Sequence, residues 1–257
     1  MSYKTSYLCT DRTIKRIEEL NLSLNALRLL HALQYYVDAN LEGYKPAMAM
    51  GKLPPVFLRS NDLLELAGTP SANDLNTIIA GVADMPPGIF DTLCLSEDRR
   101  SLQFRFTTAL ANDFVKYKRE AFAIIDIDIL RRLHTVRQIK LYTRMAMAIG
   151  ADFPKFRLPW APQEAPWPQA KRRWIATSSK VSKVFDVEVL LLPAVGIFSG
   201  EVDHIDVKLV AAASKWHSGT LYPRDGTGVI AISQGCASVL TRDDVRSRRR
   251  WRRVSGP

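Results

Sequence analysis

The stretch Ile89-Phe-Asp-Thr-Leu-Cys-Leu-Ser-Glu-Asp-Arg-Arg-Ser-Leu-Gln-Phe-Arg-Phe106 decides how the chain folds. Its two apolar runs, 89–95 and 102–106, read as strands, and the polar Ser96-Glu-Asp-Arg-Arg-Ser between them reads as a hairpin turn. Upstream, Asn21-Leu-Ser-Leu-Asn-Ala-Leu-Arg-Leu-Leu-His-Ala-Leu is a helix capped by Asn21 or Ser23. Leu24, Leu27, Leu30 and His31 share one face, and Leu33 and Val37 extend it. Gly43 to Gly51 interrupts the pattern, and Pro54 and Pro55 lead into a short extended Val56-Phe-Leu. A second helix starts at Ser60 or Asn61, places Leu63, Leu64 and Ala67 on its apolar side, and stops at Gly68. A third spans 72–82, with Leu75, Ile78 and Ile79 inward.

Helix, short strand, helix, helix, hairpin is the order of a winged helix. A linking helix covers 108–119, and a similar pattern then recurs over roughly 122–209. Phe122-Ala-Ile-Ile-Asp-Ile-Asp-Ile-Leu opens it as a strand. Val136, Ile139, Tyr142, Met145 or Ala146, and Ile149 then form a core-facing helical stripe that Gly150 ends. Residues 151–168 hold Pro154, Pro159, Pro162, Pro166 and Pro168, through which no regular helix runs. Phe156-Arg-Leu reads as a short strand within that segment. A basic helix, whole or broken, follows over 169–185, and strands at 187–192 and 202–210 are joined around Gly196 to Gly200. The predicted class is α+β: tandem winged-helix domains with an additional basic C-terminal segment. The expected divisions are 1–119, 120–213 and 214–257.

Two such units fit comfortably in 257 residues, and a hydrophobic fraction of 47% supports packed cores. The net charge of +10 favours a polyanionic partner. Three cysteines, Cys9, Cys94 and Cys236, show no zinc-ligand spacing, and none of the four histidines pairs with another at ligand spacing. Neither a metal nor a cofactor is therefore expected. Residues 1–20 contain no signal-peptide core, and no apolar run spans a bilayer, so a cytoplasmic protein with no membrane partner is expected.

Phe122-Ala-Ile-Ile-Asp-Ile-Asp-Ile-Leu-Arg-Arg-Leu-His-Thr-Val-Arg-Gln-Ile-Lys-Leu-Tyr resembles the second domain of the iteron-binding plasmid replication initiators. Leu22-Ser-Leu-Asn-Ala-Leu-Arg-Leu-Leu and Phe57-Leu-Arg-Ser-Asn-Asp-Leu-Leu-Glu-Leu-Ala-Gly are similar to their first. The resemblance covers roughly 21–209. It implies two winged helices in pseudo-twofold arrangement that bind directly repeated origin sequences on double-stranded DNA and help to open the origin. It also implies a possible homodimer acting as a repressor, and replication partners. Base readout would fall on the helix from Lys171 to Lys183.

The residues point the same way. Lys171, Arg172, Arg173, Lys180 and Lys183 crowd one helix, where arginine can donate in parallel to guanine and lysine can hold phosphate. Ser178 and Ser179 offer a phosphate contact or a cap at a helix break. Trp174 reads as a core or wall residue. Arg137, Lys140 and Arg144 lie off the apolar stripe of the preceding helix and face either phosphate or solvent. Arg99 and Arg100 mark the tip of the first hairpin, where Glu97 and Asp98 cancel the local field. The last stretch, 242–253, holds seven arginines, among them Arg248, Arg249 and Arg250, against two aspartates. Such a tail raises affinity for any polyanion, blind to sequence.

Catalytic signals are sparse. Asp126 and Asp128 alternate on the expected strand without a third ligand. Gly226-Thr-Gly lacks the lysine-serine of a phosphate loop, and His217 stands alone. A non-enzymatic DNA-binding initiator is the expected function. The alternative is an RNA-binding or RNA-processing component of a ribonucleoprotein complex, acting as a metal-independent endoribonuclease.

Overall fold

The computed structural model describes residues 5–40, 54–67, 75–115, 121–151, 154–160, 164–196, 201–210, 228–233 and 235–240. The chain divides into two compact units, Met1–Met147 and Ala148–Pro257. The expected boundary after residue 119 is thus displaced, and the cause is a strand pairing. The first strand, β1 (Ser6–Thr10), lies antiparallel to the strand at Phe122–Asp126, with Ser6 opposite Asp126 and Thr10 opposite Phe122. The segment expected to open the second domain therefore completes the first unit.

Thr10 ends β1 and caps α1 (Asp11–Glu19), its hydroxyl accepting from the Thr13 amide at 3.2 Å. Ser23, not Asn21, caps α2 (Leu24–Ala39), accepting from the Ala26 amide at 3.2 Å. Leu27, Leu29, Leu30, Leu33 and Val37 are all buried, so α2 is the central helix of the unit. Then come β2 (Val56–Arg59), α3 (Ser60–Ala67), α4 (Leu75–Ala83), β3 (Phe90–Leu95) and β4 (Ser101–Phe106). The three strands pair antiparallel in the order β2-β4-β3, so this segment has both the element order and the wing of a winged helix.

Alternation along β4 turns Leu102, Phe104 and Phe106 inward, and Phe90 stacks on Phe106 with centroids 4.6 Å apart. At the tip the Ser96 hydroxyl donates to Asp98, whose carboxylate also accepts from the Arg100 amide at 3.0 Å. Arg99 adopts a positive φ of 56° there, and its carbonyl accepts from the Ser60 hydroxyl at 2.6 Å, tying the turn to the start of α3. Gly81 lets α4 lie against α2: a Cβ at that position would stand 2.9 Å from the Asn25 carbonyl oxygen.

The unit closes with α5 (Thr108–Val115), β5 (Phe122–Asp126), α6 (Ile127–Arg131) and α7 (Val136–Ala148). Asp126 is a helix cap, its carboxylate accepting from the amides of Asp128 and Ile129, while Asp128 pairs with Arg131 at 2.7 Å. The two carboxylates therefore serve α6 and do not alternate along a strand. Tyr142 is buried and its oxygen accepts from the Asp126 amide at 2.9 Å; burial pushes the phenol up to about 12.

The second unit contains β6 (Lys155–Pro159), α8 (Trp167–Phe185), β7 (Glu188–Val195), β8 (Val202–Val210), β9 (Val229–Ser233) and β10 (Cys236–Leu240). Its antiparallel sheet runs β10-β9-β7-β8-β6. The β6-β8-β7 part repeats the strand order of the first unit. The β9–β10 hairpin joins through β7, so residues 229–240 of the expected C-terminal extension belong to the sheet of this unit. The basic helix is unbroken. Pro168 falls in its first turn, where a missing amide hydrogen costs nothing, and Asp186 ends it in a left-handed conformation. Pairing of β7 with β9 stops at Leu191, before Pro193. Among the described residues no helix is long and apolar enough to cross a membrane.

Candidate nucleic-acid interface

Helix α8 is amphipathic in an unusual way. Its inner face packs over β7, β9 and β10 through Ala170, Trp174, Thr177, Ser178, Val181 and Ser182. Most of these are small, so the helix sits close to the sheet. Trp174 is 7% exposed and stacks with Trp160, which also meets Trp167 edge-on, so this cluster anchors the N-terminal half of α8 as a wall. The outward positions follow at steps of three and four: Arg172, Arg173, Ala176, Ser179, Lys180 and Lys183. Arg172, Arg173 and Lys183 are exposed, while Lys171, Ser179 and Lys180 are half-buried at the flanks. No aspartate or glutamate occurs between Trp167 and Phe185. Residues 172–183 span about 16 Å of helix at a rise of about 1.5 Å per residue.

The remaining expected contacts divide. Ser178 faces the sheet with 0% exposure, and its hydroxyl has no hydrogen-bond partner among the described residues. It is a packing residue, and a phosphate contact or a cap at a helix break is corrected for it. Ser179, one position on and about 100° round the helix, stays partly open.

Arg144 is also corrected. Its Nε donates to Glu18 Oε1 at 2.7 Å, its Nη2 contacts Glu18 Oε2, and its Nη1 lies 3.4 Å from Asp11. Lys140 Nζ donates to the Glu18 carbonyl at 2.9 Å, and burial lowers its pKa despite the nearby Glu18 carboxylate. Both cations staple α7 to α1. Arg137 on the same helix is half-buried. Arg144 and Glu18 side chains are each 14% exposed, so losing one partner strands the other in a poorly solvated place. Arg144→Ala is therefore expected to lower stability by about 2 kcal/mol while leaving nucleic-acid affinity unchanged at temperatures where the variant is folded. Urea unfolding and a binding titration on the same sample check this; unchanged stability with weakened binding would return Arg144 to the interface.

At the first hairpin tip, the Arg100 side chain is 87% exposed, with Asp98 3.9 Å from its Nε. That acidic neighbour offsets its field, as the sequence suggests. Helix α4 carries no charged residue at all. Arg248, Arg249, Arg250, His217 and the first two residues of Gly226-Thr-Gly lie outside the described residues, while Gly228 is buried with a positive φ of 76°. Among the described residues no three histidine, cysteine, aspartate or glutamate side chains cluster as a metal site.

Sequence reading missed β1 and α1 and, beyond them, two features. One is a buried polar trio, in which Tyr7 contacts His31 Nδ1 and reaches Gln34 Oε1 at 3.2 Å. The other is the β9–β10 hairpin and its contact with α8. Residues Ser6–Thr10 and Val229–Leu240 are each short and half apolar, with nothing in either to name its partner strand.

No protein-family model and no curated protein matches the chain. Among solved structures it is similar to the crystal structure of Pi initiator protein in complex with iteron DNA, with a TM-score of 0.56 and 12% sequence identity. The match covers 83% of this chain and 100% of that one. At that identity the likeness is one of fold, and the fold is of the winged-helix kind.

Proposed function

We propose that the protein is a sequence-specific DNA-binding replication initiator, a tandem winged-helix protein that recognises repeated origin sequences on duplex DNA. The observation that carries this reading is the outer surface of α8: five cations on its outward face and flanks, no acid, on a helix immediately before a β-hairpin. A recognition helix occupies that place in helix-turn-helix proteins, and its width suits the major groove. Arg172 and Arg173 are the base-reading residues, because a guanidinium donates two parallel bonds to guanine. Lys171, Lys180, Lys183 and Ser179 hold phosphates. The uncharged α4 of the first unit leaves base readout to α8. The arginines of the tail, Arg248, Arg249 and Arg250 among them, add sequence-blind attraction. The shared fold with a DNA-bound initiator supports the choice of duplex DNA over RNA.

Fluorescence anisotropy against a salt series tests the reading. Labelled duplexes carrying direct repeats, random duplexes of equal length and a folded RNA are compared. Tighter binding to a repeat duplex is expected, with log K falling against log salt at a slope of about −3 or steeper, since the three α8 lysines each neutralise a phosphate and the tail adds to them. Equal affinity for every repeat and random duplex, with tighter binding to the RNA, would overturn the assignment in favour of an RNA partner.

A further inference from the structure

The β9–β10 hairpin has a turn built around one side chain of α8. Cys236 pairs with Ser233, and Gly235 in the tight turn before it adopts a φ of 85°. The space above Gly235 is filled by Lys183. A Cβ at position 235 would stand 2.3 Å from Lys183 Cε, 2.8 Å from Nζ and 3.7 Å from Cδ. The end of the lysine stem thus lies across the bare glycine. A lysine on an open helix face samples many rotamers, and its charge is spread over the volume they sweep. Here the turn occupies part of that volume, and the ammonium lies against it beside the last turn of α8.

We propose that Gly235 is a positioning residue for Lys183, and that the β9–β10 turn thereby makes the last cation of the α8 stripe a fixed clamp for a DNA phosphate. This rests on the reading of α8 as the DNA-binding helix. It also gives the β9–β10 hairpin a function: the hairpin extends the sheet through β7 and ends in a turn that completes the binding face. The glycine is required twice, once for its backbone conformation and once because any side chain displaces the lysine.

The test separates these requirements. Asparagine tolerates positive φ, so Gly235→Asn keeps the turn while its Cβ evicts Lys183. Duplex binding is measured across salt for the wild type, Lys183→Ala, Gly235→Asn and the double variant. Each single variant is expected to weaken binding about 3- to 10-fold and to reduce the salt slope by about 1. The double variant should be no weaker than Lys183→Ala alone. In the wild-type protein an NOE between the Lys183 ε-methylene and the Gly235 α-protons is expected, a readout that needs no variant to fold and no DNA. Additive losses in the double variant, or absence of the NOE, would overturn the positioning role. A wild type that shows the NOE yet ignores duplex DNA would overturn the DNA reading and with it the clamp, leaving only the packing.

Discussion

Arg172→Ala and Arg173→Ala are expected each to reduce discrimination between a specific repeat and random duplex by about 1–3 kcal/mol, the worth of one bidentate base contact. Both side chains are exposed on the outward face of a helix whose inner face is anchored by Trp174 and Val181. Truncation therefore removes donors without opening the core, and melting temperatures should stay within a degree or two. The double variant should approach non-specific affinity while keeping most of its salt dependence, because the lysines and the arginine tail still meet phosphates. Deleting 246–257 should do the converse, weakening binding to all sequences alike and flattening the salt slope. Competition titrations with specific and random duplex decide the matter. A tail deletion that abolished discrimination while sparing random binding would reverse the assignment of roles.

Lowering the pH from 6.5 to 4 is expected to cost the first unit about 3 kcal/mol through His31 alone. The imidazole is 1% exposed, and burial depresses its pKa from 6.5 to about 4. The ring contacts the Tyr7 hydroxyl through Nδ1, and Tyr7 also reaches Gln34 Oε1 at 3.2 Å. Nε2 is buried with no hydrogen-bond partner among the described residues, as is Gln34 Nε2. A second proton on the ring would place an uncompensated donor and a charge in that core. His31 also lines a small cavity with Ile14 and Leu27, and the ionisable groups Glu18 and Lys140 line it too. Because the folded pKa is the lower one, this stability is fully present above pH 6.5 and lost as pH falls towards 4. Thermal melts from pH 7 to 4, run beside His31→Gln, test it. The variant should be less stable at pH 7 but should lose much less on acidification. An NMR titration of His31 with an ordinary midpoint near 6.5 would refute the burial argument.

Where local pattern alone sets the structure, the sequence is a good guide. The alternation in 102–106 turns Leu102, Phe104 and Phe106 inward because a pleated strand allows nothing else once one face is apolar. The heptad-like spacing of Leu27, Leu30, Leu33 and Val37 does the same for α2, and Ser23 caps it by a contact three residues long. The cationic face of α8 was legible too, since a helix that must bury Trp174 and Val181 has to turn Arg172, Arg173 and Lys183 outward. These are short-range consequences of backbone geometry and apolar burial.

The rest depended on partners far along the chain. Lys140 and Arg144 look as available as Arg173 until Glu18, more than 120 residues away, occupies both. Ser178 and Ser179 differ only in helix phase, which the position of the sheet beneath α8 resolves into one buried and one open side chain. Asp126 ends the strand and caps a short helix, which takes Asp128 out of the strand alternation. The pairing of Ser6–Thr10 with Phe122–Asp126 moved the unit boundary, and the pairing of Val229–Ser233 with β7 brought Gly235 to Lys183. Strand propensity says that a segment can pair but not with what, because the choice is made by register, burial and neighbours in three dimensions. Residue types and periods thus determined the wing, the central helix and the basic stripe. Long-range pairing alone decided which cations were free to meet a ligand and which were already used to hold the fold together.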